Sequence, residues 1–181
     1  MINSKSMRAY LRAAGLLIFL ISACTKDNRE KLFEMQFNNL QFTIPAGLNT
    51  FQSYYFPFSP ISTNIKNQFS AYNVTAGEVG GILPSWARIT ALDNNVDLNF
   101  IDEVSIRICG VNEGNCRLEM FYIQPVPFNN GRELRLQPSL ADGKSILLDD
   151  QFKVEVVLLR LRNISPLTID CRFEFGFEVV R

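Results

Sequence analysis

The segment near the carboxyl end alternates strictly between apolar and polar side chains over thirteen residues. Its apolar positions are Leu167, Ile169, Cys171, Phe173, Phe175, Phe177 and Val179. A period of two is that of a β-strand, in which successive side chains point to opposite faces. Because one row is apolar throughout and the other is polar, we expect a long antiparallel strand with one face in a core and one in water.

Shorter segments with the same period precede this strand. Phe33, Met35 and Phe37 alternate with polar residues. Turn-forming clusters such as residues 93–95 and 141–144 separate these segments. About eight strands with turns between them predict an all-β, mainly antiparallel fold, either a two-sheet β-sandwich or a jelly roll.

Two segments depart from simple alternation. Ser59 and Pro60 predict the start of one short helix, because serine can cap a helix and proline fits its first turn. Its apolar stripe comprises Ile61, Ile65, Phe69 and Tyr72. In residues 152–161 the apolar row changes phase between Val156 and Val157. Either the middle of that strand is buried on both faces or a bulge shifts its register.

The first 23 residues have a different character. Lys5, Arg8 and Arg12 form a positive head, residues 13–21 are an apolar run, and Ser22 and Ala23 are small. This order is typical of a secretory signal peptide. The apolar run is about half of the roughly 20 residues that a membrane-spanning helix needs. We therefore expect residues 1–23 to be a removable signal peptide.

The next residue is Cys24, and the order Ile21-Ser22-Ala23-Cys24 resembles the lipobox of bacterial lipoproteins at all four positions. The resemblance implies that the Cys24 thiol receives a diacylglyceryl group, that the preceding peptide is removed and that the new amino terminus is acylated. Several acyl chains form a durable membrane anchor, whereas a single chain holds only marginally.

The residues that follow Cys24 bear on where such a protein is sent. No aspartate follows the cysteine directly, so the inner-membrane retention signal of lipoproteins is absent. Lys26-Asp27 is similar to the surface-export signal of lipoproteins in the Bacteroidetes, and a plain solvated tether is the alternative. The resemblance implies a protein anchored in the bacterial cell envelope at the outer membrane, on its periplasmic or its outer side.

The remaining chain fits one domain. We assign residues 24–32 to a lipidated tether and residues 33–181 to a single β-sandwich domain. Loss of the signal peptide removes three of the 18 basic residues and none of the 18 acidic ones, which leaves a net charge of −3. No basic block stands out, so we predict no nucleic-acid partner.

The chain contains no histidine. Ser-His-Asp and Cys-His catalysis and histidine-ligated zinc are therefore excluded. Acidic neighbours occur at Asp102-Glu103 and Asp149-Asp150. Adjacent strand residues point to opposite faces, so neither pair alone supplies the two facing carboxylates of a glycosidase. We predict no enzyme activity, no metal site and no cofactor.

Three cysteines remain besides Cys24, and export exposes them to oxidising conditions. Cys109 and Cys116 flank a turn-like segment, and we predict a disulfide between them. The alternation puts Cys109 on the face opposite to Ile106 and Ile108, so direct pairing requires a bulge, for which Gly110 is the candidate. Cys171 lies in the apolar row of the last strand and is predicted to be a buried free thiol.

Aromatic residues supply the candidate contact sites. Tyr54 and Tyr55 lie in a segment crowded with aromatic residues, and Trp86 is the only tryptophan. Exposed aromatic rings stack on ligands or anchor protein partners, whereas buried ones only pack the core. We predict a non-catalytic binding domain for a glycan or an envelope protein. The alternatives are a carboxylate-dependent polysaccharide hydrolase and a structural subunit of an envelope complex.

Overall fold

A computed structural model describes residues 29–181. The predicted signal peptide, Cys24 and most of the predicted tether lie outside these residues. The nine strands are β1 (Lys31–Ile44), β2 (Tyr54–Pro57), β3 (Ile61–Ser62), β4 (Gly81–Ala91), β5 (Ile101–Gly110), β6 (Leu118–Ile123), β7 (Glu133–Pro138), β8 (Gln151–Leu161) and β9 (Ile169–Val180). Within residues 29–181, two helices, α1 (Ile65–Tyr72) and α2 (Lys144–Leu147), and a 3-10 turn (Ala76–Glu78) complete the elements.

The strands form one curled antiparallel sheet in the order β1-β9-β4-β7-β6-β5-β8-β2, with β3 also paired to β8. The first four strands of this order make up layer A, and the others make up layer B. The two layers face each other, since the Phe121 ring on β6 lies 5.7 Å from Phe177 on β9 and Phe152 on β8 lies 5.2 Å from Phe37 on β1. The predicted all-β antiparallel sandwich is confirmed.

The predicted last strand is the second strand of layer A. β9 pairs with β1 on one side and β4 on the other. Its apolar row from Ile169 to Val179 is buried in the core. The strand begins at Ile169, so Leu167 is not part of it and is exposed in the preceding loop.

The phase change in β8 has both of the predicted causes. Val157 is buried although it faces away from the core that Val156 and Leu158 enter. The register with β5 then shifts, because Leu158 lies opposite Val104 whereas Arg160 lies opposite Glu103. Leu159 is therefore an extra residue in β8, which returns the next apolar side chains to the core.

The helix starts later than the sequence predicts. Ser59 and Pro60 do not open it, because Ile61 instead pairs with Phe152 at the edge of β8. Pairing satisfies backbone groups that an early helical turn would leave open. From Ile65 onward the predicted stripe is helical, and Phe69 and Tyr72 pack on Phe33 of β1 at ring distances of 6.0 and 5.1 Å. α1 thus follows the edge strand of layer B and covers the edge strand of layer A.

The predicted disulfide joins Cys109 and Cys116, whose Cα atoms lie 4.7 Å apart. A bulge exists, but not at Gly110. The register moves from Ile106 opposite Phe121 to Arg107 opposite Glu119, so Met120 is the extra residue. Cys171 is free and buried as predicted, and burial raises the pKa of its thiol to about 12.

None of the helices within residues 29–181 combines the length and the apolar character that a membrane crossing requires.

Candidate functional site

The three aromatic residues singled out in the sequence lie in different surroundings. Tyr54 on β2 braces the preceding loop, since its hydroxyl accepts from the Asn49 amide at 2.8 Å and donates to the Asn49 carbonyl at 3.2 Å. Tyr55 is 56% exposed and opens on the outer face of layer B. Trp86 lies on β4, on the outer face of layer A. The structure therefore does not gather them into one surface.

Tyr55 borders a shallow groove beside the disulfide. Arg107 and Glu155 lie in the same groove, and Cys116 forms part of its wall. Burial raises the pKa of the Glu155 carboxyl, while the charges of Arg107 and Lys153 oppose that effect. Glu155 is one carboxylate in this groove, whereas hydrolysis of a glycosidic bond requires two.

The Trp86 side chain crosses the neighbouring strand β9. It lies opposite Gly176 of β9, and its indole N–H donates to the Glu34 carboxylate of β1 at 2.9 Å. A Cβ atom on Gly176 would lie only 2.6 Å from the indole nitrogen. A glycine in a strand interior often marks a close approach of another group, and here that group is the indole ring. The same hydrogen bond, followed by the interaction with Lys31, lowers the pKa of the Glu34 carboxyl.

Ion pairs surround the tryptophan. Arg88 of β4 contacts Glu174 of β9 at 2.8 Å and Glu133 of β7 at 3.8 Å. Arg135 contacts Glu133 at 2.7 Å, and Arg172 contacts Glu174 at 3.4 Å. Because the four strands present their polar rows side by side, residues far apart in sequence form one lattice of alternating charge.

A groove of about 460 Å³ lies beside Trp86, between β4 and β7. It is lined by Ser85, Trp86, Ala87, Arg88, Arg135 and Leu136. The β4–β9 register shifts between Pro84 and Trp86, which makes Ser85 the bulged residue. Among the described residues its buried hydroxyl has no hydrogen-bond partner. Leaving a buried hydroxyl unpaired is costly.

A second groove, of about 440 Å³, adjoins the first. It lies where β6 and β7 diverge, because their ladder ends with Tyr122 opposite Gln137. Its walls are Ile123, Pro125, Pro127, Asn129, Asn130, Glu133, Arg135 and Gln137. Arg135 borders both grooves.

The backbone of β7 faces this fork at two residues. On the β4 side, the Ala91 amide donates to the Arg132 carbonyl at 2.9 Å. Backbone groups alternate sides along a strand, so every second residue from Arg132 also faces β4. The peptide groups of Glu133 and Arg135 consequently face the fork, beyond the end of the β6 ladder. They offer further donors and acceptors to a ligand.

The acidic pairs noted in the sequence take part in ion pairs. Asp102 and Glu103 both reach Arg160, at 2.6 and 2.5 Å, and Asp102 also contacts Arg162 at 2.8 Å. The expectation that the carboxylates of Asp102 and Glu103 point to opposite faces of the sheet is wrong, because the β5–β8 register is irregular at these residues. Asp150 is paired with Lys66 at 2.7 Å.

The turn at residues 93–99 uses its carboxylates internally. Asp93 accepts the Asn95 amide at 2.8 Å, and Asp97 accepts the Asn99 amide at 2.7 Å. Over residues 29–181 no cluster of three or more histidine, cysteine or acidic side chains is arranged to hold a metal ion.

The loop end of the sandwich exposes several apolar side chains. They are Phe51, Leu92, Phe128, Ile164 and Leu167. Phe51 is 94% exposed, whereas Phe56 and Phe58 from the same aromatic segment pack against Phe42 of β1. The loop end lies beyond Ile44, and the 14 residues of β1 place it roughly 45 Å from Lys31.

Sequence reasoning found Trp86 but missed its partners. The outward-facing side chains of β9 contained a signal that could have found these partners. Gly176 interrupts a row of charged side chains that includes Glu174. A strand glycine between charges indicates that another group approaches the backbone. The identity of that group depends on strand order, which the sequence does not display.

No protein-family model matches the chain, and no curated protein matches it. Among solved structures, Cocksfoot mottle virus aligns with a TM-score of 0.30 and 8% identity over 87% of this chain and 86% of that chain. Desmodium yellow mottle tymovirus aligns with a TM-score of 0.26 and 10% identity over 86% of this chain and 90% of that chain. The nora virus structure aligns with a TM-score of 0.30 and 9% identity over 85% of this chain and 65% of that chain. Structural similarity at these TM-scores does not indicate the function of this chain.

Proposed function

We propose that this protein is a lipid-anchored, non-catalytic binding protein of the bacterial cell envelope, and that it binds a glycan on the outer face of layer A. The single observation that carries the binding role is the half-buried Trp86 beside a groove that Arg88 and Arg135 also border. An apolar ring with a few convergent polar groups is the usual composition of a ligand site.

The position of the groove suits an anchored domain. β1 begins at Lys31, so the lipid on Cys24 would attach near that end of the sandwich. The groove runs from Trp86 along β7 toward residues 129–130 at the loop end. Its open end would therefore face away from the membrane, where a ligand can approach.

The anchor is tested with Cys24→Ser. We expect the substituted protein to lose fatty-acid labelling and to leave the membrane fraction, because the acylated thiol is absent. Protease treatment of intact cells assigns the outer or the periplasmic side. A variant that remains labelled and membrane-bound would overturn the lipoprotein proposal.

Glycan binding is tested with Trp86→Ala, by pull-down and calorimetry on envelope and plant polysaccharides. Loss of the ring should weaken binding about tenfold, which corresponds to about 1.4 kcal/mol. Phe51→Ala is the control, because it removes an exposed aromatic ring at the loop end. Unchanged affinity in Trp86→Ala would show that the groove is not the site.

A protein partner is the second candidate, and the exposed apolar side chains of the loop end favour it. The same two variants separate the candidates, since a partner docked at the loop end would be sensitive to Phe51→Ala and not to Trp86→Ala. The carboxylate-dependent hydrolase receives less support, because Asp102, Glu103 and Asp150 are held by basic side chains.

A further inference from the structure

We infer that the two grooves form one continuous site for an uncharged oligosaccharide, with a stacking subsite at Trp86 and a hydrogen-bonding subsite in the fork between β6 and β7. This inference rests on the proposed glycan-binding function and specifies its ligand. Three observations carry it: the adjacency of the grooves, the balance of charge around them, and the type of polar group that lines them.

The grooves adjoin, because Arg135 borders both of them. Leu136 belongs to the groove beside Trp86 and Gln137 to the fork, so consecutive residues of β7 pass from one to the other. Each groove is of the size that accommodates a small ligand. A ligand that occupies both must be elongated and must lie along β7.

The charges around Trp86 cancel. Four basic and four acidic side chains form six ion pairs at 2.7–3.8 Å. The basic residues are Lys31, Arg88, Arg135 and Arg172, and the acidic ones are Glu34, Glu133, Glu174 and Glu178. Asp170, at the far end of β9, accepts from the Thr43 hydroxyl at 2.7 Å.

This balance disfavours a charged ligand. Each cation that borders the grooves already contacts a carboxylate, so a ligand carboxylate would enter next to a like charge. Glu133 contributes most to this repulsion, because it contacts both arginines that line the site, Arg88 and Arg135. An uncharged chain meets no such repulsion.

The lining of the fork matches hydroxyl groups. Asn129 and Gln137 carry amides that both donate and accept, and the peptide groups of Glu133 and Arg135 face the same space. The Arg135 side chain is 84% exposed and keeps donors beyond its contact with Glu133. Sugar hydroxyls likewise both donate and accept, so each can be satisfied without a net charge on either side.

The test measures the affinity of the purified protein for laminarin and galactomannan, which are uncharged, and for polygalacturonate, which is anionic, at low and high salt. We expect at least one uncharged polymer to bind with little dependence on salt, and polygalacturonate not to bind. Arg135→Ala should weaken that binding about fivefold, with Arg117→Ala, an exposed arginine on layer B, as the matched control.

Glu133→Gln tests the charge argument directly. It leaves Arg135 without a carboxylate partner, and we expect it to confer salt-sensitive binding of polygalacturonate. Polygalacturonate binding by the unaltered protein would overturn the inference and leave the glycan-binding proposal standing. Binding of an uncharged polymer that is unaffected by Arg135→Ala would also overturn it. Absence of binding to every polymer would overturn the proposed function itself.

Discussion

The two faces of β9 differ in how they hold their side chains. On the inner face, Phe173, Phe175 and Phe177 are completely buried, and successive rings lie 4.7 and 5.5 Å apart. On the outer face, Glu174 is nearly buried and pairs with the partly exposed Arg88, and Gly176 lies under a tryptophan. One strand thus serves the core with one row and a surface site with the other.

The energetic weights of the two faces differ accordingly. Burial of a phenylalanine side chain contributes roughly 1.5–3 kcal/mol, and favourable ring contacts add to that. An ion pair between partly solvated side chains contributes about 0–1 kcal/mol. The inner row therefore holds the sandwich together, and the outer row can be arranged for binding at little cost to stability.

The largest effect is expected from Phe175→Ala. This ring contacts four other core rings besides Phe37, including Phe121 and Phe152 of layer B. Its removal leaves a cavity between the layers, and the free energy of unfolding should fall by about 3–5 kcal/mol. Chemical denaturation provides the measurement, and Phe51→Ala, which alters an exposed ring, should stay close to wild type. A loss below about 1 kcal/mol would contradict the role assigned to the inner face.

An intermediate effect is expected from Gly176→Ala, on the outer face. The new methyl group would lie 2.6 Å from the Trp86 nitrogen and 3.1 Å from the Glu34 carboxylate, so the indole must move off the strand. Such overpacking costs typically about 1–3 kcal/mol. Fluorescence of the single tryptophan should shift as its environment changes.

Gly114→Ala serves as the control for this substitution, because nothing lies within 4 Å of the position that its Cβ would take. If Gly176→Ala left both the fluorescence and the ligand affinity unchanged, the close packing of Trp86 on Gly176 would not matter for the site.

The smallest effect is expected from Glu174→Gln. The change removes one of the two carboxylate contacts of Arg88 and the carboxylate contact of Arg172, and the side chains of these arginines are 38% and 37% exposed. The free energy of unfolding should fall by no more than about 1 kcal/mol, and this decrease should become smaller with added salt. Thermal unfolding at two salt concentrations measures it. A salt-independent loss above about 2 kcal/mol would mean that the outer lattice holds the fold.

Much of the fold could be predicted because it depends on local pattern. The alternation around Phe173 and Phe175 identified β9 and its buried face, and the spacing of Cys109 and Cys116 identified the disulfide. The helix start was wrong at Ser59, because the edge of β8 offered Ile61 a pairing partner that no local signal reveals. The bulge that permits the disulfide lies at Met120 for the same reason, since register depends on the partner strand.

The sequence by itself determined that this chain is a β protein, which side of its last strand faces the core, and that Cys171 is a buried thiol. A period of two shows which side of a strand is apolar. The same alternation would occur with any order of strands in the sheet, so it does not reveal which strands are neighbours. Only the tertiary structure decided that β1 and β4 both flank β9, and hence that Trp86 crosses Gly176 to reach Glu34. The candidate site joins residues from four strands, and their proximity follows from long-range pairing and not from their order along the chain.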